Sequence, residues 1–578
     1  MKPTVLGMLF MDSDPSAVII VNGEIVAFAE EERFNRSKHS VSKFPINSVR
    51  YCLSEAGVEI SGVDIIAVGW DASKFPVHMA KFYLNTWYKH QPCSRFTLNW
   101  QTKTLNRYSA ETLTQEIKEN LFKGRSEKEL PEIRFINHHF SHACSSFMVS
   151  GFDNAAILTA DGHGEDDCIN FWNVENGKIL HVKQWVLPNS LGWFYTKFTQ
   201  WFGFRTHDGE GKLMGLAAYG KHNTALIEKV HKVIYLTKCD KIFKVSSRFF
   251  FGEFIRDEAY TQEWIDLFGE PRTLESDEPF TNYHKDLAYA VQHVLEEIMI
   301  KLVRQLLEIT GKSKLCVAGG TFMNCKMNGV IAREIGSGNF FVQPVAGDNG
   351  IALGAALAVY HQDNIKWETS LDHLYFGPEF TSTEIEDELK QHDLYYHLSN
   401  NIGKEVANLL AENKVIGWFQ DRMEVGARAL GNRSILGNPL DPNARDIINA
   451  KVKFREPWRP FCPSTIDSDA GEYFDICGEQ PFMIIATTAR DGIKSMLPSV
   501  VHVDNTVRVQ TVRKSINEKY YSVINEFKKI TGYGVVLNTS FNIKGEPIVC
   551  NPHDAIQCYL QTGIDVLAIG DFLVSKTD

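Results

Sequence analysis

AAILTADGHGEDDCINFWNVENGKILHVKQW, residues 155–185, is the stretch on which the fold turns. Ala155–Ala160 reads as a buried strand, Asp161-Gly162-His163-Gly164-Glu165 as an acidic glycine loop, and Cys168–Val174 as a second strand. Asn176-Gly177 is a type I′ hairpin signal and turns the chain into a third strand, Lys178–Trp185. The same order stands at the start of the chain. Residues 4–10 read as a strand, Asp12–Ser16 as an acidic loop, and Ala17–Val21 and Glu24–Phe28 as strands joined by Asn22-Gly23.

Two such repeats facing each other bring two acidic loops to one cleft. That is the plan of the actin/Hsp70/sugar-kinase-type duplicated ATPase fold, so the expected class is α/β. Downstream, residues 281–310 keep apolar side chains at helical spacing (Leu287, Val291, Val294, Ile298, Leu302, Leu306), with Gly311 as the stop. A strand, Lys314–Ala318, runs into Gly319-Gly320 and Asn324; another, Phe340–Pro344, runs into Gly347-Asp348. Asp348 therefore sits at a strand end before a helix, where α/β sheets place their sites. Polar, proline-bearing sequence then marks a boundary. The expected division is residues 1–365, a linker at 366–385, and a second α/β domain at 386–578 with a helix at Gly403–Glu412 and strands at Val415–Phe419 and Gly534–Leu537.

The chemistry starts at His138 and His142, four apart in NHHFSHA. On a helix, residues at i and i+4 share one face. Asp161 and Asp348 can complete a four-ligand set, and mixed imidazole and carboxylate donors suit Fe²⁺, Mn²⁺ or Zn²⁺ better than Ca²⁺ or Mg²⁺. Alone, such a histidine pair more often describes two satisfied structural histidines; the acidic glycine loop at Asp161 tips the reading toward a metal. His139 faces elsewhere and is left out. Gly162, Gly164, Gly319 and Gly320 allow a phosphate, base or sugar to lie against the backbone, and Ser16, Lys38, Lys212 and Asn324 are candidate nucleotide contacts. Asp14 is the candidate base for an acceptor.

Residues 421–460 hold eight basic side chains against five acidic ones, inside a chain of net charge −11. This reads as an anion site. Arg428 and Arg433 flank Ala429-Leu430-Gly431, Lys451, Lys453 and Arg455 alternate as they would along one face of a strand, and Asn538 and Ser540 add neutral donors. Between Asp71 and Glu111 there is no acid, and basic residues interleave with aromatics such as Phe75, Tyr83, Trp100 and Tyr108. That segment reads either as a ligand platform or as a helical insert packed on the domain.

Length and composition bound the rest. The chain has 578 residues, 44% hydrophobic and 23% charged, which suits two to four globular domains. A pI near 6.0 argues against a general nucleic-acid binder. The eleven cysteines show no CxxC pair, as expected of reduced thiols in the cytoplasm. No run nears the roughly 18 apolar residues of a membrane span.

The segments EEERF (30–34), Lys38-His39, NHHFSHA (137–143), DGHGE (161–165), EGKLMGLAAYG (210–220), Gly347-Asp348, ARALGNRS (427–434) and LNTSFN (537–542) together resemble the O-carbamoyltransferases of antibiotic biosynthesis and nodulation. The resemblance spans nearly the whole chain. It implies a first domain of the tRNA threonylcarbamoyl-transferase type, binding Fe²⁺ or another divalent transition metal through His138, His142, Asp161 and Asp348. It implies a YrdC-like second domain making carbamoyl-adenylate from carbamoyl phosphate and ATP with Mg²⁺, its anion residues being Arg428, Lys453, Arg459, Arg508, Asn538 and Ser540 with Arg433 adjacent. Lys453 and Arg428 are the catalytic candidates there. The expected acceptor is a hydroxyl-bearing small molecule (a sugar or natural product), with no nucleic acid or membrane as partner and a homodimer allowed. The rival reading is a tRNA threonylcarbamoyladenosine-type modification enzyme. One position departs from the family pattern: its first loop reads His-Asp-x-Ser-Ala, and this chain has Ser13-Asp14-Pro15-Ser16-Ala17. Acceptor identity is therefore not carried over.

Overall fold

The computed structural model describes residues 2–11, 13–90, 95–125, 130–237, 241–250, 260–456, 458–476 and 478–576. The chain forms two compact units: Met1–Val26 with Ser42–Ser370, and Ala27–Val41 with Leu371–Asp578.

The first unit holds two five-stranded sheets of matching plan. One contains β1 (Val5–Leu9), β2 (Ser16–Val21), β3 (Glu24–Glu30), β4 (Ile65–Val68) and β5 (Glu132–Phe135), in the order β3-β2-β1-β4-β5. The other contains β6 (Ala156–Gly164), β7 (Asp167–Glu175), β8 (Lys178–Val186), then β11 (Leu315–Ala318) and β12 (Phe340–Val342), in the order β12-β11-β6-β7-β8. A small hairpin, β9 (Ile234–Leu236) with β10 (Phe243–Val245), stands apart from both. Each sheet centres on its first strand, which runs antiparallel to the next strand in sequence and parallel to the crossover strand on its other side. The duplicated actin/sugar-kinase plan is therefore present in the topology. The Asn-Gly turns behave as their composition dictates: Asn22 and Asn176 have φ of 54° and 51°, followed by Gly23 and Gly177 at 88° and 74°.

The helix Ile351–Gln362 is buried all round from Ile351 to Tyr360. It packs on β1, β2 and β4 and on the helix His138–Phe147, which itself lies against β6 and β11. Small residues set the spacing. A Cβ at Gly354 would lie 2.1 Å from the Ser141 carbonyl oxygen, so the two helices approach to backbone contact. The long helix Asn282–Thr310 begins with a Thr281/His284 capping box and ends at Gly311 in the left-handed region. The insert forms the helices Phe75–His90, Arg95–Arg107 and Ala110–Leu121. Tyr108 packs its ring on Phe75 and Trp70, and Tyr83 is buried. Phe75 and Tyr83 are core and Tyr108 is half-buried, as in a packed insert, whereas Trp100 is exposed; the side chains of Trp87, Tyr88, Lys89 and Phe96 lie outside the described residues.

The second unit carries an eight-stranded mixed sheet. Its strands are β13 (Tyr396–Leu398), β14 (Ile416–Phe419), β15 (Arg433–Gly437), β16 (Cys462–Ile466), β19 (Gln510–Val512), β20 (Val535–Ser540), β21 (Val566–Ile569) and β22 (Phe572–Ser575), with β17 (Thr487–Thr488) and β18 (Thr506–Val507) as a separate pair. Residues 27–41, which the sequence reading assigns to the first domain, group with this unit. The cause is a set of buried polar bonds. Arg33 is 1% exposed, pairs with Glu30 at 3.3 Å and donates to the Gly426 carbonyl at 2.6 Å. Arg36 donates to the carbonyls of Ile548 and Pro547 at 2.7 and 2.9 Å. The helix Ser382–Gln391, capped by Thr381 and Glu384, begins inside the stretch read as linker. Among the described residues, no helix is long and apolar enough to cross a membrane.

Gly354→Ala should lower the urea midpoint of the first unit by an overpacking cost of about 1–3 kcal/mol. Gly338→Ala, whose added Cβ meets nothing within 4 Å, should leave the midpoint unchanged; tryptophan fluorescence across a urea series reads both.

Candidate active site

His138 opens the helix His138–Phe147, with the Asn137 side chain capping it through the Phe140 N–H. His142 follows one turn later. Asp161 leaves β6 at the irregularity between Ala160 and Gly164, and Asp348 begins the short turn before the helix Ile351–Gln362. The four side chains converge. His142 Nε2 lies 3.0 Å from Asp161 Oδ2 and 3.9 Å from Asp348 Oδ1. His138 Nε2 lies 3.9 Å from Asp161 Oδ2 and 3.6 Å from Asp348 Oδ1. One ligand atom from each falls within 4.8 Å of the others. Donors at about 2.1 Å from a common ion are spaced about 3.0–3.4 Å apart as neighbours and about 4.2 Å when opposed, so the set fits a single cation. Both imidazoles are 1% exposed or less, and neither ring nitrogen of His138 makes a hydrogen bond. That is the signature of a buried donor awaiting a ligand rather than of a satisfied core histidine.

The electrostatics agree. Burial holds the His142 imidazole down at about 4, against the opposing pull of Asp161, so the ring is a neutral ligand. Burial pushes the Asp161 carboxyl up, but the nearby His138 and His142 imidazoles, His142 in hydrogen-bond contact, outweigh it and leave the group well below the usual carboxylate range. Asp161 is fixed by the Gly162 N–H on Oδ1 at 2.6 Å and the Gly320 N–H on Oδ2 at 2.8 Å. A Cβ at Gly164 would lie 2.3 Å from the His138 ring. These glycines thus serve the carboxylate and the imidazole directly.

The other candidates of this unit take varied places. Ser16 donates to the Asn349 carbonyl at 2.8 Å, tying the first loop to the Asp348 turn. Asp14 holds φ of 54°, a conformation that costs energy in a non-glycine residue and gathers at functional sites. Gly319 stands at φ of 107°, where a Cβ would meet the Ala160 carbonyl at 2.1 Å. Asn324 is a helix cap for the Met327 N–H and pairs with Gln292. Lys212, a candidate nucleotide contact, is 4% exposed, beside Asp208 and over the Phe204 ring. Lys38 lies in the second unit, where its charge bears on Lys453.

In the second unit the chain around Lys453 is not a strand. Asn449–Lys453 form a π-helical turn that leaves Lys451 exposed and buries Lys453. Lys453 Nζ donates to the Ser540 carbonyl and hydroxyl at 2.8 and 3.1 Å and to the Asn542 carbonyl and side-chain oxygen at 2.9 and 2.6 Å. Burial, then the charges of Arg455, Arg459 and Lys38, hold this amine well below its usual range. Arg455 is lowered likewise, by burial and then by Arg459, with Arg508 also contributing. Arg508 donates to Cys462 Sγ at 3.0 and 3.2 Å. Asn538 donates to the Ala429 carbonyl, next to half-buried Arg428, while its own Oδ1 has no hydrogen bond. Arg433 stands apart from this cationic group. Its guanidinium donates to five carbonyls, those of Cys550, Gln420, Asp421, Asn432 and Pro378, and lies 3.7 Å from the Phe419 ring. All three guanidinium nitrogens are engaged by backbone carbonyls, so Arg433 braces the fold here.

Residues 4–357 match the family Carbamoyltransferase N-terminus, and residues 407–576 match Carbamoyltransferase C-terminus. The chain belongs to the carbamoyltransferase family. This carbamoyltransferase is 36% identical to nodulation protein NolNO of Sinorhizobium fredii, over 97% of its own length and 79% of the relative's. It is 36% identical to nodulation protein NolO of Bradyrhizobium diazoefficiens over 76% and 79%. It is 31% identical to the 3'-hydroxymethylcephem-O-carbamoyltransferase of Amycolatopsis lactamdurans over 62% and 64%. The protein is thus an enzyme, a transferase of carbamoyl groups.

Sequence reasoning gave Glu165 no role beyond its acidic loop. The carboxyl, 2% exposed, accepts the backbone N–H of Asp71 at 2.6 Å and of His138 at 3.2 Å, and the Asn137 side chain at 2.7 Å. Burial pushes it up to about 8, partly offset by those N–H groups. Glu165 therefore anchors the first turn of the helix that carries both histidines. Its place four residues past Asp161, in a loop bounded by glycines, was the available signal. Glu165→Ala should weaken divalent-metal binding by about 10–100-fold, as loss of a supporting partner around a metal site does. Equilibrium dialysis with Fe²⁺ under anaerobic conditions measures it, with helical content by circular dichroism as the control for folding.

Proposed function

We propose that this carbamoyltransferase works in two steps, one per unit, and that its acceptor is a hydroxyl group on a small molecule. The observation that carries the reading is the convergence of two imidazoles and two carboxylates, from three separated stretches of a carbamoyltransferase sequence, on one point in the first unit.

The cationic group of the second unit receives carbamoyl phosphate and ATP, the latter with Mg²⁺. Lys453, Arg455, Arg459, Arg508 and Arg428 concentrate positive charge, with Asn538 and Ser540 at the end of β20 as neutral donors. Burial lowers Lys453 most, and the added repulsion from Arg455, Arg459 and Lys38 is relieved when anions enter. Neutralising the triphosphate favours attack of a carbamoyl oxygen on the α-phosphorus. Water is consumed, pyrophosphate and phosphate leave, and carbamoyl-adenylate remains.

The adenylate then serves the first unit. His138, His142, Asp161 and Asp348 would hold Fe²⁺ or another divalent transition metal, which supplies Lewis acidity toward phosphate and carbonyl oxygens when bound. Gly162 and Gly320 hold Asp161, Gly164 and Gly319 admit the His138 ring and the Ala160 carbonyl, and Ser16, Lys212 and Asn324 are the candidate contacts for the nucleotide. Asp14, in its constrained loop, accepts the proton of the acceptor hydroxyl. The hydroxyl oxygen bonds to the carbamoyl carbon, the bond to the phosphate oxygen breaks, and AMP leaves. The named chemistry of the cephem relative, carbamoylation at a hydroxymethyl oxygen, supports a small hydroxyl compound as acceptor.

The two steps are separable. Lys453→Ala should lower carbamoyl-phosphate-dependent ATP–pyrophosphate exchange by at least about 10²-fold, the scale of losing one preorganised charge donor. His142→Ala should retain that exchange and lose transfer to an acceptor. Radiolabelled pyrophosphate exchange and mass spectrometry of a hydroxyl-compound pool measure the two; loss of exchange in both variants, or in neither, would contradict the assignment of steps to units.

A further inference from the structure

The second unit contains another convergence of metal-donor atoms, remote from its cationic group in composition and role. Glu388 lies in the last turn of the helix Ser382–Gln391 and His392 caps that helix. His553 stands in the first turn of the helix Pro552–Gln561. His553 Nδ1 lies 2.8 Å from Glu388 Oε1, His392 Nε2 lies 3.2 Å from the same oxygen, and the two ring nitrogens are 3.3 Å apart. Three donor atoms thus form a triangle with edges of 2.8, 3.2 and 3.3 Å.

We infer that Glu388, His392 and His553 form a second metal site, selective for a late first-row divalent ion such as Zn²⁺, Ni²⁺ or Co²⁺. Two of the triangle's edges, 3.2 and 3.3 Å, have the spacing of donors about 2.1 Å from a common ion, about 3.0–3.4 Å, and the third, 2.8 Å, is slightly shorter. Two imidazoles with one carboxylate favour transition ions over Ca²⁺ and Mg²⁺, which take oxygen ligands. Local scaffolding supports the geometry. Glu388 and His392 are four apart at one helix end, so they share a face. His553 is held by a helix start with a Asn551/Asp554 capping box and Pro552 in the first turn. Side-chain exposures of 22% for Glu388, 21% for His392 and 57% for His553 give an ion direct access from solvent. Three protein donors leave the remaining positions to water, the mark of an open site.

A bound ion would join the two helices and so reinforce the second unit. Asp554, beside His553, accepts the Cys550 N–H at 2.9 Å and lies 3.4 Å from Arg36. The segment that draws residues 27–41 into this unit is therefore anchored next to the proposed ion.

The test is titration of full-length, metal-stripped protein with Zn²⁺, comparing wild type, His142→Ala, His553→Ala and the double variant His142→Ala/His553→Ala. His142→Ala should retain about one equivalent of Zn²⁺, and the double variant should lose it; neither loss nor retention depends on catalysis. His392→Ala in the His142→Ala background should reproduce the loss, and Co²⁺ bound to His142→Ala should show imidazole-ligated visible absorption that Ca²⁺ and Mg²⁺ at tenfold excess do not displace. Carbamoyl-phosphate-dependent pyrophosphate exchange should be unchanged in His553→Ala. Zn²⁺ stoichiometry and affinity identical in His142→Ala and the double variant would overturn the proposal, as would displacement by Ca²⁺ or Mg²⁺.

Discussion

Two carboxylates and two imidazoles pressed together inside a folded protein are tolerable only with a counter-charge, and the first unit is arranged around that constraint. Asp161 is the fixed point. Backbone N–H groups of Gly162 and Gly320 hold its two oxygens, and His142 meets it at 3.0 Å. The backbone contact at Gly354 keeps the helix that follows Asp348 against the helix that carries His138 and His142. Glu165 then sets that helix's first turn. The ligands come from separated stretches, so their convergence depends on both sheets of the duplicated fold being formed.

The second unit solves the opposite problem. Like charges on Lys453, Arg455, Arg459 and Lys38 are concentrated and partly desolvated, which depresses the amine of Lys453. Under the proposed function, an incoming polyanion would offset part of that cost by pairing with the clustered cations. Oxygen atoms of Ser540 and Asn542 satisfy the amine meanwhile. Arg433 shows the contrasting use of the same residue type. Its five carbonyl partners consume the guanidinium, and burial lowers it to about 10.

Much of this was legible in the sequence because it is local or periodic. The two Asn-Gly hairpins, the helix Asn282–Thr310 and the strand end before Asp348 are written in turn chemistry and spacing, whereas β6 runs on through Asp161 to Gly164. The convergence of His138, His142, Asp161 and Asp348 was signalled by an i, i+4 pair and two acids beside glycines. What escaped depends on tertiary partners. The grouping of residues 27–41 with the second unit rests on Arg33 and Arg36 reaching Gly426, Pro547 and Ile548, hundreds of positions away. Lys453 alternates with its neighbours as a strand would, yet the chain there is a π-helical turn. The burial of Arg433 and Lys212 is not visible in the sequence. Glu165 is marked only by its place four residues past Asp161, which suits an anchor and an acidic loop residue alike.

The central claim is that one cation is held by His138, His142, Asp161 and Asp348. Anomalous diffraction at the iron edge, from crystals of the metal-stripped protein reloaded anaerobically with one equivalent of Fe²⁺, tests it most directly. The account expects a peak in contact with Nε2 of both histidines and with a carboxylate oxygen of both aspartates. An iron peak elsewhere, or none at this cluster with the four side chains bonded only to one another, would contradict it.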